Sequence, residues 1–226
     1  MKVLLFDTET TGLPKTRVAA INGPNNWPHI VSLSWIILDA DTNKILKMES
    51  HIVKPNGWVI PDESIAIHGI TPEIADESGS SLYETIESFM SDLLMPNGCD
   101  TMVAHNLNFD YNVLMNALIW DLGNPPKEYF TLNRFCTMKL STNMCRLPSR
   151  YGFKSPKLSE LSEFVMKKKP DESRLHGSMY DTEVLTEIVQ NCAELRKQMG
   201  LPVASVTNQS NGHQTNPSKT LSIRLS

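Results

Sequence analysis

The sequence lacks the features of a secreted, disulfide-bonded or membrane-spanning chain. Its four cysteines form no CxxC pair and have no close histidine partner, a pattern typical of reduced structural thiols. No apolar run approaches the roughly 20 residues that a membrane-spanning helix needs. The first six residues begin like a signal peptide, but Asp7 and Glu9 interrupt that run. We therefore expect a soluble intracellular protein, cytoplasmic or nuclear, that does not contact a membrane.

A strong charge of either sign is also missing. The 226 residues carry a net charge of −4, which excludes a uniformly basic nucleic-acid coat but leaves room for a local basic groove. No internal repeat is present, and the length suits one core. Residues 201–226 contain no acidic residue and are rich in Ser, Asn, Thr and Gln, so burial there cannot offset chain entropy. The sequence predicts a domain over residues 1–200 and a disordered polar tail over 201–226.

The apolar periodicity predicts an α/β domain. Residues 3–6, 30–38 and 45–53 are typical of three strands in a meander. The remaining predicted elements are a helix at 61–68, a turn at 71–73, a helix from the capping box at 81–84, a strand at 101–104, a helix at 110–122, a strand at 134–137, a helix between 155 and 170, and a helix at 178–199. This order predicts a central five-stranded mixed sheet flanked by helices.

Two acidic residues follow the first predicted strand directly. Asp7 and Glu9 are two positions apart, so in an extended chain they project to the same side. Neighbouring carboxylates at the end of a buried strand repel each other and lose hydration, which is costly unless a cation lies between them. Oxygen ligands of this kind suit Mg²⁺ or Mn²⁺. This stretch alone leaves open the alternative of a solvated strand end followed by a polar turn.

Two further stretches place an acidic residue at a predicted helix start. Asp110 follows residues 104–109, where a strand leads into a helix, and the helix dipole there tolerates a negative charge. Asp181 falls in the first turn of the last helix, and His176 lies on the loop before it. Each has a structural alternative, because Asp110 is a plausible N-terminal helix acid and Ser178 with Asp181 fits a capping box.

Together, the spacing of these residues resembles the DEDDh (DnaQ-like) 3′–5′ exonucleases of the ribonuclease H-like superfamily. The similar stretches are Asp7-x-Glu9 within residues 6–14, Ile-His-Gly-Ile-Thr at 67–71, residues 104–110, Lys-Leu-x-x-Leu at 157–161 and His176-x₄-Asp181. The resemblance extends from residue 1 to about 199 and implies a ribonuclease H-like fold. One departure is Thr182, where many members of the family have alanine.

The resemblance implies two-metal-ion hydrolysis of phosphodiester bonds with Mg²⁺ or Mn²⁺. By that resemblance, Asp7 bridges two divalent ions, Glu9 and Asp181 complete one metal site, and Asp110 supports the other through water. His176 is the implied general base, because an unperturbed imidazole titrates near neutral pH.

The resemblance also implies contacts with the 3′-terminal nucleotide and a set of partners. The implied substrate-binding residues are Thr8, Thr10, Thr11, Leu13, His68, Ile70, Asn106 and Phe109. The implied partners are nucleic-acid 3′ ends, with a DNA polymerase or replication factor as a further candidate. The leading activity is cleavage of single-stranded DNA or frayed duplex ends. A 3′–5′ exoribonuclease and a catalytically silent, polymerase-associated nucleic-acid-binding scaffold are the alternatives.

One segment is strongly basic in an otherwise acidic chain. Residues 134–174 contain ten Lys or Arg and four Asp or Glu, a local net charge of +6. Because this segment leads directly to His176, we expect it to guide a phosphate backbone towards the site. A solvated basic loop and helix face is the alternative.

Overall fold

The computed structural model describes residues 1–94, 98–99, 101–123 and 132–203. A five-stranded mixed sheet forms the centre, with strand order β3-β2-β1-β4-β5. β1 pairs antiparallel with β2, and β2 pairs antiparallel with β3, whereas β4 runs parallel to both β1 and β5. The strands are β1 Lys2–Thr10, β2 Ile30–Asp39, β3 Lys44–Ile52, β4 Thr101–Ala104 and β5 Asn133–Cys136. The predicted five-stranded α/β architecture is therefore confirmed.

Alternation along β1 assigns its side chains to two cores, one on each face of the sheet. Leu4 and Phe6 pack in the core that α3 and α4 cover, whereas Val3 and Leu5 pack in the core that α6 to α8 cover. The helices are α1 Asp62–His68, α2 Pro72–Ser78, α3 Leu82–Leu94, α4 Leu107–Asn116, α5 Thr137–Cys145, α6 Leu158–Met166, α7 Ser178–Asn191 and α8 Ala193–Gln198. Period-two alternation thus decides which helix layer each later β1 side chain faces.

Several predicted elements differ from the observed ones. The predicted turn at 71–73 begins helix α2, whose start Thr71 caps by accepting a hydrogen bond from the Ile74 backbone. The predicted helix at 110–122 begins earlier, at Leu107, and ends in a π-helical turn, Ala117–Asp121. The single helix predicted at 178–199 is interrupted at Cys192, which has extended backbone angles. The helix predicted between 155 and 170 is limited to Leu158–Met166.

Two elements lie where no element was predicted. Helix α5 follows β5 directly, and a short antiparallel hairpin of β6 Pro148–Ser149 and β7 Gly152–Phe153 follows α5. The α5 sequence is rich in Thr, Ser and Asn, which have low intrinsic helix propensity. Packing of its apolar residues against the α7 and α8 core overrides that preference.

The packed part of the chain extends past residue 200. Leu201 is buried in the same core as α7 and α8, and the division into a domain over residues 1–200 and a tail over 201–226 stays a prediction. The rest of the predicted tail, residues 204–226, lies outside the described residues. All four cysteines are within the described ranges and form no disulfide. Every helix in the described ranges falls short of the length and hydropathy of a membrane span.

Candidate active site

Three carboxylates meet where β1 approaches the start of α7. Oxygen atoms of Asp7, Glu9 and Asp181 lie within 4.8 Å of one another. Asp7 and Glu9 project from β1 on the same side as Val3 and Leu5, and this is the side that α7 covers. Because α7 begins at Ser178, its first turn brings Asp181 to that pair. The structure thus joins residues that are more than 170 positions apart in the sequence.

A seam of buried hydroxyl groups holds α7 in this position. The Ser178 hydroxyl lies 2.8 Å from the Ser32 hydroxyl and 2.7 Å from the Ser34 hydroxyl. Ser34 pairs with Asp7 across the strands and Ser32 pairs with Glu9, so the helix is attached directly beside the acids. The Thr182 hydroxyl donates to the Ser178 carbonyl at 2.6 Å. The threonine that departs from the resemblance is therefore accommodated as part of this seam.

The seam decides one alternative that the sequence left open. Gly177, not Ser178, precedes α7 as its cap, and no side chain caps the helix. The interpretation of Ser178 and Asp181 as a capping box is therefore wrong. The Ser178 hydroxyl instead bonds across to β2, and the Asp181 carboxylate is left for the site. The predicted capping box at Ser81 and Glu84, in contrast, is present at the start of α3.

Asp110 approaches the cluster from the opposite helix layer. It lies in the first turn of α4 and is 3 % exposed. Its Oδ1 accepts hydrogen bonds from the Thr8 hydroxyl at 2.9 Å and from the Thr8 backbone N–H at 3.3 Å. Thr8 points to the α4 side of β1 because it lies between Asp7 and Glu9 in an alternating strand.

Burial raises the pKa values of all four acids, and repulsion by neighbouring carboxylates adds to the rise for Asp7, Glu9 and Asp110. Burial is the largest cause for each of them. It raises the pKa of Glu9 to about 8, with further repulsion from Asp181 and Asp110. The pKa of Asp110 rises to about 7 although the Thr8 hydrogen bonds oppose the rise. The pKa of Asp181 rises to about 6, and that of Asp7 rises well above its usual value. The cluster is therefore short of positive charge at neutral pH.

This donor set fits divalent cations. All donors are carboxylate oxygens, which Mg²⁺ and Mn²⁺ prefer. Among the described residues, the buried Oδ1 of Asp181 has no hydrogen-bond partner. A buried carboxylate oxygen without a partner is costly, and a coordinated cation would remove that cost. Asp7, Glu9 and Asp181 can hold one ion directly, and Asp110 lies close enough to raise the pKa of Asp7.

His176 lies at the edge of the cluster. It is exposed on the loop before α7, and its backbone N–H donates to Asp181 Oδ2 at 3.3 Å. Its backbone is left-handed, with φ of 66°, a conformation that costs about 1–2 kcal/mol for a residue with a Cβ. The structure therefore places the imidazole beside the metal-ligand candidates and outside the packed core.

The predicted substrate-binding residues surround the end of β1, with different exposure. Leu13 is 82 % exposed and Asn106 is also exposed, at the left-handed start of α4. The donors of Thr8 contact Asp110, and the Thr10 hydroxyl donates to the Gly12 carbonyl at 2.8 Å. These two hydroxyls thus support the local structure, and their substrate contacts stay predictions.

The other four predicted contacts are partly buried near the same strand end. Thr11 exchanges hydrogen bonds with the His29 backbone, and Phe109 packs on Trp27, with ring centroids 5.9 Å apart. Ile70 donates its backbone N–H to His68 Nδ1 at 3.1 Å. Burial lowers the pKa of His68, and a backbone hydrogen bond with Thr10 opposes that effect. The structure therefore brings the α1–α2 connection to the end of β1.

The contact of Ser178 with Ser32 and Ser34 beside the acids was not predicted. A signal was present, because two serines occur at alternate positions of an otherwise apolar strand. Such a strand is buried, and a buried hydroxyl requires a partner. The partner lies about 145 residues away, at separations of 146 and 144 positions, and no local pattern identifies it.

Comparison with known proteins identifies the family. The exonuclease family model, of the RNase T type, matches residues 4–189. Ribonuclease T of Escherichia coli K12 is 26 % identical over 115 residues, which covers 40 % of this chain and 54 % of that protein. The match thus spans about half the length of the curated relatives.

Solved structures show the same fold at lower identity. The zinc-bound complex of E. coli exonuclease I with single-stranded DNA has a TM-score of 0.66 at 17 % identity, covering 88 % of this chain and 42 % of that one. Exonuclease X in complex with 5′-overhanging duplex DNA has a TM-score of 0.56 at 22 % identity, covering 88 % of this chain and 94 % of that one. These neighbours have ribonuclease H-like folds, and the chain belongs to the exonuclease family.

Proposed function

We propose that this protein is a divalent-metal-dependent 3′–5′ exonuclease that acts on single-stranded DNA or on frayed duplex ends. The observation that carries the proposal is the convergence of Asp7, Glu9 and Asp181 within 4.8 Å, with Asp110 supported by Thr8 beside them. A scaffold without catalysis has no use for four uncompensated acids whose pKa values are raised. Family membership and the DNA complexes of the structural neighbours support the same conclusion.

The family resemblance assigns the roles of the residues, and their positions support the assignment. Asp7, Glu9, Asp110 and Asp181 would hold Mg²⁺ or Mn²⁺ ions, which supply electrostatic stabilisation of the attacking and leaving oxygens when bound. The His176 imidazole accepts a proton from the attacking water, since it is exposed beside Asp181 and is held there by its own backbone hydrogen bond. Leu13 and Ile70 contact the last base, and Asn106 contacts the terminal nucleotide.

Degradation of end-labelled oligonucleotides tests the proposal. With a 5′ label, a 3′–5′ exonuclease produces a ladder of progressively shorter labelled strands, whereas a 5′–3′ enzyme releases the labelled mononucleotide at once. We expect the ladder with Mg²⁺ or Mn²⁺, none with EDTA, and little cleavage with Ca²⁺, which is larger and less strict in geometry. Full activity in excess EDTA would contradict the metal-dependent mechanism.

A 3′–5′ exoribonuclease is the second candidate, and one observation favours it. The curated relatives of this chain are named ribonuclease T. Discrimination between the two sugars depends on the space and hydrogen bonds around the 2′-hydroxyl group. Matched single-stranded DNA and RNA of identical sequence, digested in parallel, separate the candidates by their relative kcat/KM.

A further inference from the structure

The basic segment of residues 134–174 does not form one continuous surface. The guanidinium of Arg134 lies 4.5 Å from the ring centroid of Tyr111 on α4. The guanidinium of Arg174 lies 4.1 Å from the ring centroid of Tyr180 on α7. The run at 167–169 lies beyond α6, on the side where edge strand β3 is exposed. The predicted single basic path is thereby divided into separate patches.

One of these patches is a protruding hairpin with exposed aromatic rings. Residues 146–154, here called the basic hairpin, contain Arg146, Arg150 and Lys154 and no acidic residue. Tyr151 is 87 % exposed and Phe153 is 50 % exposed. A folded domain gains nothing by exposing two aromatic rings among positive charges, unless a partner covers them.

The basic hairpin is held in one conformation by its own hydrogen bonds. The Ser149 hydroxyl donates to the Gly152 carbonyl at 3.1 Å and accepts from the Tyr151 backbone N–H at 3.4 Å. At its base, the Lys154 backbone N–H donates to the Leu147 carbonyl at 2.9 Å. Gly152 has φ of +114°, which side chains with a Cβ rarely adopt. The hairpin therefore holds the rings of Tyr151 and Phe153 in place before binding, so that binding costs little conformational entropy.

The return of the basic hairpin is attached to the active-site edge of the sheet. Pro156 accepts a hydrogen bond from His105 Nε2 at 3.0 Å, and His105 directly follows β4. Burial lowers the pKa of His105 to about 4, so its ring is neutral and holds this bond over a wide pH range. Tyr151 is five residues before Pro156, and five residues span at most about 17 Å. This limit keeps Tyr151 near Pro156, which is held beside β4, the parallel neighbour of the strand that carries Asp7 and Glu9.

We propose that the basic hairpin binds the single-stranded segment of the substrate on the 5′ side of the terminal nucleotide. A base stacks on Tyr151, while Arg146 and Arg150 contact phosphates. Lys154 contributes less, because it forms an ion pair with Glu160. This proposal rests on the proposed exonuclease function, and it explains how the enzyme would select its substrate. It predicts a preference for strands long enough to reach the hairpin.

The occupant is nucleic acid and not an acidic peptide. Every base presents a π face, and stacking on an exposed aromatic ring is tolerant of sequence. The guanidinium of Arg150 lies 5.3 Å from the Tyr151 ring centroid, so cation and ring form one platform. An acidic peptide would pair with the positive charges of the hairpin, but it would leave the exposed rings of Tyr151 and Phe153 without a partner.

Binding to oligonucleotides of two lengths tests the proposal with the full chain. Fluorescence anisotropy in EDTA compares a trinucleotide with a single strand of about 15 nucleotides, within the usual site sizes. The variant Arg150→Ala/Tyr151→Ala is expected to weaken binding of the long strand by about 10-fold or more and to leave trinucleotide binding unchanged. Tyr151→Phe, which keeps the ring, should bind like the wild type. Lys168→Ala/Lys169→Ala removes two charges elsewhere and should weaken both by less than about 3-fold.

The outcomes separate the proposal from the proposed function. Equal loss for both lengths, loss in the lysine control as large as in the hairpin variant, or no loss at all would overturn the role of the hairpin. If the wild type degrades DNA with Mg²⁺ but the hairpin variant binds the long strand as tightly as the wild type does, only the hairpin proposal fails. If the wild type binds the long strand through the hairpin but degrades neither DNA nor RNA with any divalent ion, the proposed function fails instead.

Discussion

The first turns of α4 and α7 each supply one aspartate to the site, but they hold it in different ways. Asp110 on α4 is 3 % exposed, and its Oδ1 accepts two hydrogen bonds from Thr8. Asp181 on α7 is only partly buried. Its Oδ2 accepts one long bond of 3.3 Å from the His176 backbone, and its Oδ1 has no hydrogen-bond partner among the described residues.

The difference shows which acid the protein itself satisfies. Asp110 is fixed by groups of the chain, and it stays fixed whether or not a cation is present. Asp181 is positioned through its helix, because the Ser178 hydroxyl of α7 bonds to Ser32 and Ser34 of β2, while its carboxylate remains incompletely satisfied. Asp110 therefore shapes the site, whereas Asp181 needs a ligand. The same β1 segment serves both, because alternate residues face opposite helix layers.

Replacing each aspartate by alanine should give the largest effects on rate and should change the melting temperature in different directions for the two acids. We expect both Asp181→Ala and Asp110→Ala to lower the single-turnover rate by about 10³-fold or more, since each removes several kcal/mol of metal-dependent stabilisation. In EDTA, Asp181→Ala should keep or raise the melting temperature, because a repelled charge is lost. Asp110→Ala should lower it, because the buried Thr8 donors lose their acceptor, at a cost of about 1–3 kcal/mol.

Thermal unfolding and single-turnover rates measured on the same preparations check this expectation. Asp62→Ala, at an exposed position in the first turn of α1, is the control for loss of an acidic residue. A melting temperature that falls as much in Asp181→Ala as in Asp110→Ala would show that the two acids are held in the same way.

His176 adds the next largest effect. His176→Ala should lower the rate by about 10²–10⁴-fold, the usual contribution of a positioned base, and remove one ionisation from the pH–rate profile. His176→Gly is the matched variant, because glycine adopts the observed φ of 66° without strain. It should lose the same activity and be at least as stable as the wild type. An unchanged pH limb in both variants, measured at saturating Mg²⁺, would remove His176 from the mechanism.

Short sequence motifs marked the candidate residues of the site, and long-range contacts determined how they are held. The four acids and His176 were identified because their motifs, each near a strand end or a helix start, together resemble those of an exonuclease family, and their roles stay predictions. The attachment of Thr8 to Asp110 spans 102 positions, and that of Ser178 to Ser34 spans 144. No propensity or periodicity reports such pairs.

The elements that sequence analysis missed have a related cause. Helix α5 contains several poor helix formers, and it exists because its apolar face packs on α6 and α8. The β6–β7 hairpin has two residues in each strand, too few for any alternation to be visible. Leu201 was assigned to the tail because the segment that it begins, residues 201–226, is rich in Ser, Asn, Thr and Gln, whereas its neighbours in space are the residues of a core.

Removing the Thr8 hydroxyl should show how far Asp110 depends on its hydrogen bonds within the protein. Thr8→Val removes the hydroxyl that donates to Asp110 Oδ1 at 2.9 Å, a bond to a charged group worth about 1.5–3 kcal/mol. We expect a rate about 10-fold lower and a shift of the Asp110 ionisation to higher pH, because this hydrogen bond holds its pKa down. Thr8→Ser keeps the hydroxyl and should behave like the wild type. Identical pH–rate profiles for Thr8→Val and the wild type would contradict the supporting role.

The stability of the metal-free protein should depend on pH. Folding raises the pKa of Glu9 to about 8, of Asp110 to about 7 and of Asp181 to about 6. A carboxyl group whose folded pKa is raised favours folding below its unfolded pKa, about 4, and loses that contribution as the pH rises through the folded value. In EDTA, stability should therefore fall between about pH 5 and pH 8.

Asp181→Asn should reduce the slope of stability against pH, since one of the three titrations is absent, and the exposed Asp62→Asn should not change it. Added Mg²⁺ should raise the melting temperature more at pH 8 than at pH 5, because the ligands bind the ion in their charged form. A melting temperature that stays constant between pH 5 and pH 8 in EDTA would show that the protein itself compensates the charges of the acids. It would also show that Asp181 does not differ from Asp110 in this respect.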